Sequence, residues 1–162
     1  MEELQHCEIL KTNINVTNMS DTIKYIGGHL DDLRGKYICV SNVHTTVMSY
    51  ENEEYRKIQN GAAMALPDGA PLSSYSRRKG YKQAQRVTGP DLMLELFAIS
   101  KEKGYRHYFY GATEETLQSM KEVLERDYPG IQIAGMYAPP FRALTPQEDA
   151  QIVAKINESR PD

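Results

Sequence analysis

Leu66-Pro67-Asp68-Gly69-Ala70-Pro71 is the stretch whose reading decides the fold. The apolar run before it, residues 62–66, has the length and composition of a short buried strand. Proline holds φ near about −65° and has no N–H, so strand pairing stops at Pro67. Pro71 suits the first turn of a helix, and residues 71–78 read as that helix. Gly69 permits backbone angles that a side chain would forbid. The stretch is therefore a strand, a stiff acidic turn and a helix start. In an open α/β sheet ligands bind beyond the carboxyl ends of the strands, and Asp68 sits at such an end. Asp68 could equally cap the following helix or close an Asx-turn, and both readings stand at this level.

Working outward, the same grammar repeats. Upstream, residues 7–16 alternate weakly and supply one or two short strands. A helix starts near Asn18 or Ser20 and runs through Ile23, Ile26 and Leu30 towards Arg34-Gly35, with Gly27-Gly28 weakening its middle. Residues 36–41 read as a buried strand that delivers Asn42 to its end; a helical stretch to Tyr50 and a polar, solvated helix over 51–60 follow. Downstream, Arg77-Arg78-Lys79-Gly80-Tyr81-Lys82 and Arg86 form a basic cluster, either a solvated surface or the cations of a diphosphate pocket. Val87-Thr88-Gly89-Pro90-Asp91 punctuates the chain before an apolar helix ending near Lys103-Gly104. Residues 105–110 are a central-strand candidate. Gly111-Ala112-Thr113 then passes into a helix over 114–127, as in a phosphate cradle or a plain βα turn. Tyr128-Pro129-Gly130 ends that helix and residues 131–135 form a strand. After an irregular loop, Thr145-Pro146-Gln147-Glu148 opens a last helix with a capping box.

Strands alternating with helices predict a Rossmann-like, mostly parallel sheet with helices on both faces, within a single domain over 1–162. The 162 residues carry a net charge of −3, with 40% hydrophobic and 25% charged residues. No basic excess or binding motif points to nucleic acid. Cys7 and Cys39 are the two cysteines, and Cys39 in an apolar run reads as a free thiol suited to a reducing, cytosolic compartment. No apolar run approaches the ~20 residues needed to span a bilayer. His44 has no second His or Cys at metal-ligand spacing and reads as a turn-forming or core residue, and His107, alternating with Tyr108 and Tyr110, reads as a strand residue.

Written out together, the turns resemble the WecG/TagA/CpsF family of bacterial glycosyltransferases. The matching pieces are Val40-Ser41-Asn42-Val43-His44, Leu66-Pro67-Asp68-Gly69, Arg77-Arg78-Lys79-Gly80, Arg86-Val87-Thr88-Gly89-Pro90-Asp91-Leu92, Tyr110-Gly111-Ala112 and Tyr128-Pro129-Gly130. The ordered pair P-D-G and R-V-T-G-x-D-L is the specific part. The resemblance implies inverting transfer of a sugar, N-acetylmannosamine or a related hexose, in cell-wall, capsule or exopolysaccharide synthesis. The donor is a UDP-sugar, the acceptor a polyprenyl-diphosphate-linked saccharide, and the place the cytoplasmic membrane face. It implies no metal and no cofactor. It makes Asp68 the base, and Arg86 and Asn42 substrate-binding residues. Arg77, Gly69, Gly111 and Thr113 join the expected substrate-binding set from the residue reading.

Two departures stand out. Many members carry threonine where this chain has Val40. Members also continue into a strand, a G-x-P-K-Q-E motif and a C-terminal portion linked to membrane engagement. The resemblance therefore implies a chain lacking that segment, with a donor pocket open on that side and the uncovered surface hidden in a homo-oligomer.

The chemistry agrees with the residues. Inverting transfer needs a base for the acceptor hydroxyl and positive charge or amide dipoles for the departing diphosphate. Many UDP-sugar enzymes place a divalent metal there with D-x-D, which this sequence does not contain. Two other readings remain: a non-catalytic sugar-nucleotide-binding module, and a nucleotide-dependent oxidoreductase. The second would want G-x-G-x-x-G and a later acidic residue, and the sequence has neither.

Overall fold

The computed structural model describes residues 4–162. The chain is α/β and divides into two compact units, Met1–Glu95 and Leu96–Asp162.

The first unit begins with β1 (His6–Ile9) and β2 (Thr12–Asn15), an antiparallel hairpin whose alternation buries Cys7, Ile9 and Ile14. Its two-residue turn, Leu10-Lys11, holds both residues at positive φ, 48° and 64°. The next helix, α1 (Met19–Gly28), is capped by Asn18, whose side chain accepts the N–H of Asp21. It stops at the glycine pair instead of reaching Arg34-Gly35. Two glycines in succession cost roughly 2 kcal/mol of helix propensity, and Leu30 falls in the turns beyond.

A crossover then builds the parallel pair. β3 (Ile38–Ser41) is followed by α2 (Val43–Glu51), α3 (Glu53–Gly61) and β4 (Met64–Pro67), with Ile38 opposite Met64 and Ser41 opposite Pro67. All four residues of β4 are buried, as the apolar run requires. By contrast β3, expected to be buried, is only partly so: Val40 is 37% exposed. The polar helix α3 is not wholly solvated either. Gln59 is buried and accepts the Ser41 hydroxyl at 2.8 Å. Cys7, Ile9, Ile14, Ala65 and Leu72 form the core cluster. Both cysteines are free thiols, and partial burial raises the Cys39 pKa. After β4 come α4 (Ala70–Arg78) and a loop leading to α5 (Gly89–Lys103).

The second unit contains the rest of α5, then β5 (Arg106–Tyr110), α6 (Glu114–Asp127) and β6 (Gln132–Tyr137). β5 and β6 are parallel, with one irregularity: His107 pairs with Ile133 but Tyr108 with Gly135. The Tyr108 ring lies over Gly135, where an added Cβ would stand 2.5 Å from Cε2. On the other side of β5, the Asp162 N–H donates to the Arg106 carbonyl at 3.0 Å. His107 is a structural strand residue. Its Nε2 lies 2.6 Å from Ser100 Oγ, its ring meets Phe97 edge-on, and burial lowers its pKa.

α7 (Pro146–Ser159) starts with the capping box that Thr145 and Glu148 predict. Arg142 adds two contacts to the Glu148 carboxylate, at 2.6 and 2.9 Å. These bonds, with those from Thr145, lower the Glu148 pKa to about 2. A lowered folded-state pKa means the carboxylate's contribution is complete above its ordinary value and fades as pH falls through about 2. Carboxyl carbon shifts followed by NMR should therefore place the Glu148 midpoint near pH 2, and Arg142→Ala should move it up. An ordinary midpoint in the wild type would refute the reading.

Among the described residues, no helix is long and apolar enough to cross a membrane.

Candidate active site

Because β3 and β4 are parallel neighbours, their carboxyl ends emerge side by side. That juxtaposition makes the site, and all of it lies in the first unit. The Asp68 N–H donates to the Ser41 carbonyl at 2.8 Å, and the Gly69 N–H to the same oxygen at 3.3 Å. Asn42 follows Ser41 directly. A Cβ on Gly69 would lie 3.4 Å from Asn42 Cα and 3.6 Å from the Val43 nitrogen. The two turns therefore lie in van der Waals contact, and the starts of α2 and α4 converge.

Those starts differ. Asn42 caps α2 in a full capping box with Thr45: its side chain accepts the Thr45 N–H at 3.1 Å, and its own N–H donates to Thr45 Oγ1 at 2.9 Å. Its amide Nδ2 has no partner among the described residues. The N-cap of α4 is Gly69, with no side-chain capping bond. Asp68 therefore does not cap the helix, which removes one of the two structural readings of that residue. In the first turn of α4 Pro71 has no N–H and the Leu72 N–H donates to the Gly69 carbonyl at 3.0 Å, which leaves the Ala70 N–H for solvent or a ligand.

The R-V-T-G segment runs along the free edge of β4. The Val87 N–H donates to the Pro67 carbonyl at 3.0 Å. Pro67 has no N–H to orphan on that edge, so one bond there suffices. Two further bonds fix the approach: the Gln85 N–H to the Thr17 carbonyl at 2.8 Å, and Arg77 Nη1 to the Ala84 carbonyl at 2.7 Å. Ala84 and Val87 are buried. Thr88 accepts the Asp91 N–H at 3.1 Å and starts α5, while Gly89 lies against the Val40 side chain.

This course delivers Arg86 to Asp68. Its Nε donates to the Asp68 carbonyl at 2.5 Å, and Nη2 lies 3.5 Å from the Asp68 carboxylate. The Asp68 side chain is 26% exposed and that of Arg86 58%. A carboxylate at the rim of a core strand thus stands beside a guanidinium whose Nη1 has no partner among the described residues.

The expected site residues separate accordingly. Asp68, Gly69, Asn42 and Arg86 come together. Arg77 is used by the fold, with Nη1 on Ala84 and Nη2 on Ser74 Oγ at 3.0 Å. Gly111 and Thr113 belong to the second unit. There Gly111 takes φ 130° and donates its N–H to the Tyr137 carbonyl at 3.0 Å. Thr113 caps α6 by accepting the Thr116 N–H at 3.2 Å. Thr45 and Gln59 were not singled out in the sequence. N-x-x-T at a strand end is a signal for Thr45, but a polar helix gives none for Gln59. Among the described residues no group of three or more His, Cys, Asp or Glu is placed to hold a metal ion.

A carboxylate, a guanidinium and the starts of two helices thus gather at the ends of parallel strands in one α/β unit. The chain belongs to the WecG/TagA/CpsF glycosyl transferase family, whose match covers residues 7–162. It is similar to proteins named N-acetylglucosaminyldiphosphoundecaprenol N-acetyl-beta-D-mannosaminyltransferase. The one from Bacillus spizizenii is 30% identical over 134 residues, covering 83% of this chain and 50% of that protein. The Bacillus subtilis protein is 26% identical over 148 residues, covering 90% and 56%. A Staphylococcus aureus protein is 22% identical over 157 residues, covering 96% and 60%. The chain thus spans 50–60% of the length of these relatives.

Proposed function

We propose that the chain carries the catalytic face of an inverting glycosyltransferase that moves N-acetylmannosamine or a related hexose from a UDP donor to a polyprenyl-diphosphate-linked saccharide. The observation that carries this is the Asp68–Arg86 pair beside the uncapped start of α4. The relatives' printed names, which specify a diphosphoundecaprenol acceptor, supply the substrate class.

In this reading the acceptor hydroxyl attacks the anomeric carbon of the donor from the face opposite the diphosphate. Its proton passes to the Asp68 carboxylate as the new C–O bond forms. The bond from the anomeric carbon to the diphosphate oxygen breaks, and the electron pair leaves with UDP. Arg86 and the Ala70 N–H at the start of α4 oppose the charge that develops on that leaving group. Asn42, with its spare amide donor, orients a sugar or phosphate oxygen. In this reading the acceptor's lipid keeps the reaction at the membrane and the nucleotide-sugar donor keeps it at the inner face, with the protein peripheral to it.

Thermal shift with UDP, UDP-N-acetylmannosamine and NAD tests the donor class: the uridine compounds should stabilise the protein and NAD should not. Transfer to a lipid-linked N-acetylglucosamine acceptor, followed by mass spectrometry, tests the reaction. Stabilisation by NAD alone, or stabilisation by UDP with no transfer, would overturn it. Since cations and amide dipoles take the metal's place, EDTA should leave transfer unchanged. Loss of transfer in EDTA with recovery on adding Mg²⁺ or Mn²⁺ would show otherwise.

A further inference from the structure

We propose that a polar slot between the β1–β2 hairpin and β4 is a second binding site, for an uncharged sugar that is not the one transferred. The choice of a sugar among neutral, hydroxyl-rich ligands rests on the transferase reading above. The slot has a volume of about 370 Å³, inside the range of roughly 300–1,000 Å³ for small-molecule sites. Asn13, Asn15, Gln59, Asn60, Tyr25 and His6 supply its polar lining. Leu4 and the methyl groups of Ala62, Ala63 and Ala65 supply its apolar part.

The slot exists because two sheets stand side by side without a ladder. β2 packs beside β4, yet the two belong to separate sheets. Side-chain amides span the gap. Asn15 Oδ1 accepts the Ala65 N–H at 2.6 Å, Asn60 Oδ1 accepts the Asn13 N–H at 2.9 Å, and Asn60 Nδ2 donates to the Lys11 carbonyl at 3.0 Å. Towards Asp68 the gap is closed by the chain itself. The Gln85 N–H donates to the Thr17 carbonyl and the Val87 N–H to the Pro67 carbonyl, each two residues beyond Asn15 and Ala65. The slot is thus set apart from Asp68, about 10 Å along the chain from Ala65 at roughly 3.3 Å per residue.

Three observations select the ligand. The first is an unmet donor. Asn15 is 9% exposed, and its Nδ2 has no partner among the described residues. Among those residues only Thr12 Oγ1 and the Tyr105 hydroxyl are sealed without a partner, so the Asn15 Nδ2 opens into the slot. The Ala65 N–H requires the oxygen of that amide on its own side, which fixes the donor towards the slot. The second is charge. Among the described residues no Lys, Arg, Asp or Glu lines the slot. A phosphate, carboxylate or ammonium would lose water there and find no counter-charge. The third is the match of groups. Amides and a phenol offer donors and acceptors together, as each sugar hydroxyl does, and the alanine methyls suit the C–H face of the ring. Gln59 is held by Ser41 and Tyr55, at 2.8 and 3.3 Å, so this part of the lining is set before a ligand arrives. The Tyr25 ring is already stacked on His29, with centroids 4.4 Å apart, which leaves its hydroxyl as the group on offer.

The test is a titration of the isotope-labelled full chain, followed by NMR of its side-chain amides. The probes are N-acetylglucosamine, glucose, uridine and UDP. The two sugars should shift the Asn15 amide signals saturably, with those of Asn13 and Asn60, and uridine and UDP should not. Asn15→Asp keeps an oxygen for the Ala65 N–H and removes the donor. Ala63→Leu fills the slot without altering any side-chain hydrogen bond. Each variant should weaken sugar binding about tenfold or more, with UDP affinity near wild type. If the new carboxylate unfolds the first variant, the second still decides. No saturable shift with either sugar, or undiminished sugar binding by Ala63→Leu, overturns the proposal. So do the same shifts produced by uridine, because a nucleoside would then be the occupant. Sugar shifts confined to Arg86 and its neighbours also overturn it, leaving the site of transfer as the sugar site. None of these readouts requires transfer. Sugar held in the slot of a protein that transfers none would sink the reaction and leave the slot. Transfer with no shift at Asn15 would do the reverse.

Discussion

Asp68→Asn in the full chain should lower turnover roughly 10²–10⁴-fold, the range for losing a positioned general base, while UDP affinity stays near wild type. Asparagine keeps the shape of the turn, and the backbone bonds from the Asp68 and Gly69 N–H groups to the Ser41 carbonyl do not involve the side chain. The carbonyl that accepts from Arg86 Nε is also backbone. What is removed is the oxygen that takes the acceptor proton. Because the carboxylate does not cap α4, a fall in turnover cannot be ascribed to a lost cap. Equal melting temperatures for the two proteins would confirm that separation. Near-normal turnover by the variant would remove Asp68 from the role of base.

Arg86→Ala should have the second-largest effect, and of a different kind. The guanidinium is held by one bond to the Asp68 carbonyl and lies 3.5 Å from its carboxylate, so it is positioned before substrate arrives. Loss of one preorganised group opposing transition-state charge costs roughly 10²–10³-fold in turnover. UDP affinity should fall as well, because the same group meets the ground-state diphosphate. Arg86→Lys should recover little: an ammonium cannot hold the backbone carbonyl with one nitrogen and present others to a phosphate. The two variants thus form opposite patterns, turnover alone for Asp68 and turnover with UDP affinity for Arg86. Unchanged UDP affinity in Arg86→Ala would place the donor diphosphate elsewhere.

Several devices were legible because they are short-range. The capping box at Thr145 and Glu148 needs only residues three apart in the chain, and its helix starts where those residues predict. Pro67 ends β4 and Pro71 stands in the first turn of α4 for reasons internal to one ring. Where helical periodicity and a glycine pair compete, the glycines prevail. The apolar spacing of Ile23, Ile26 and Leu30 suggested a helix to Arg34-Gly35, but the backbone cost of Gly27-Gly28 ended α1 at Gly28.

Burial was less legible. The residues of β3 are as strand-like as those of β4, yet Val40 is exposed while Leu66 is fully buried. Only the packing around each strand decides that. Arg77 and Arg86 illustrate the same limit within the site. Both are arginines in one basic stretch, and composition cannot divide them. The folded loop turns Arg77 onto Ala84 and Ser74, whereas the Val87–Pro67 bond carries Arg86 to Asp68.

By itself, then, the sequence determined the alternation of strands and helices, the acidic turn at the end of a core strand, and the family to which the ordered turns belong. All of these rest on interactions within a few residues or on the order of motifs along the chain. Tertiary structure alone decided that Asn42, Gly69 and Arg86 gather around Asp68, and that Asp68 is not a helix cap. Parallel pairing of β3 and β4 brings together ends separated by 26 positions in register, and such pairing depends on long-range hydrogen bonds that no local pattern encodes.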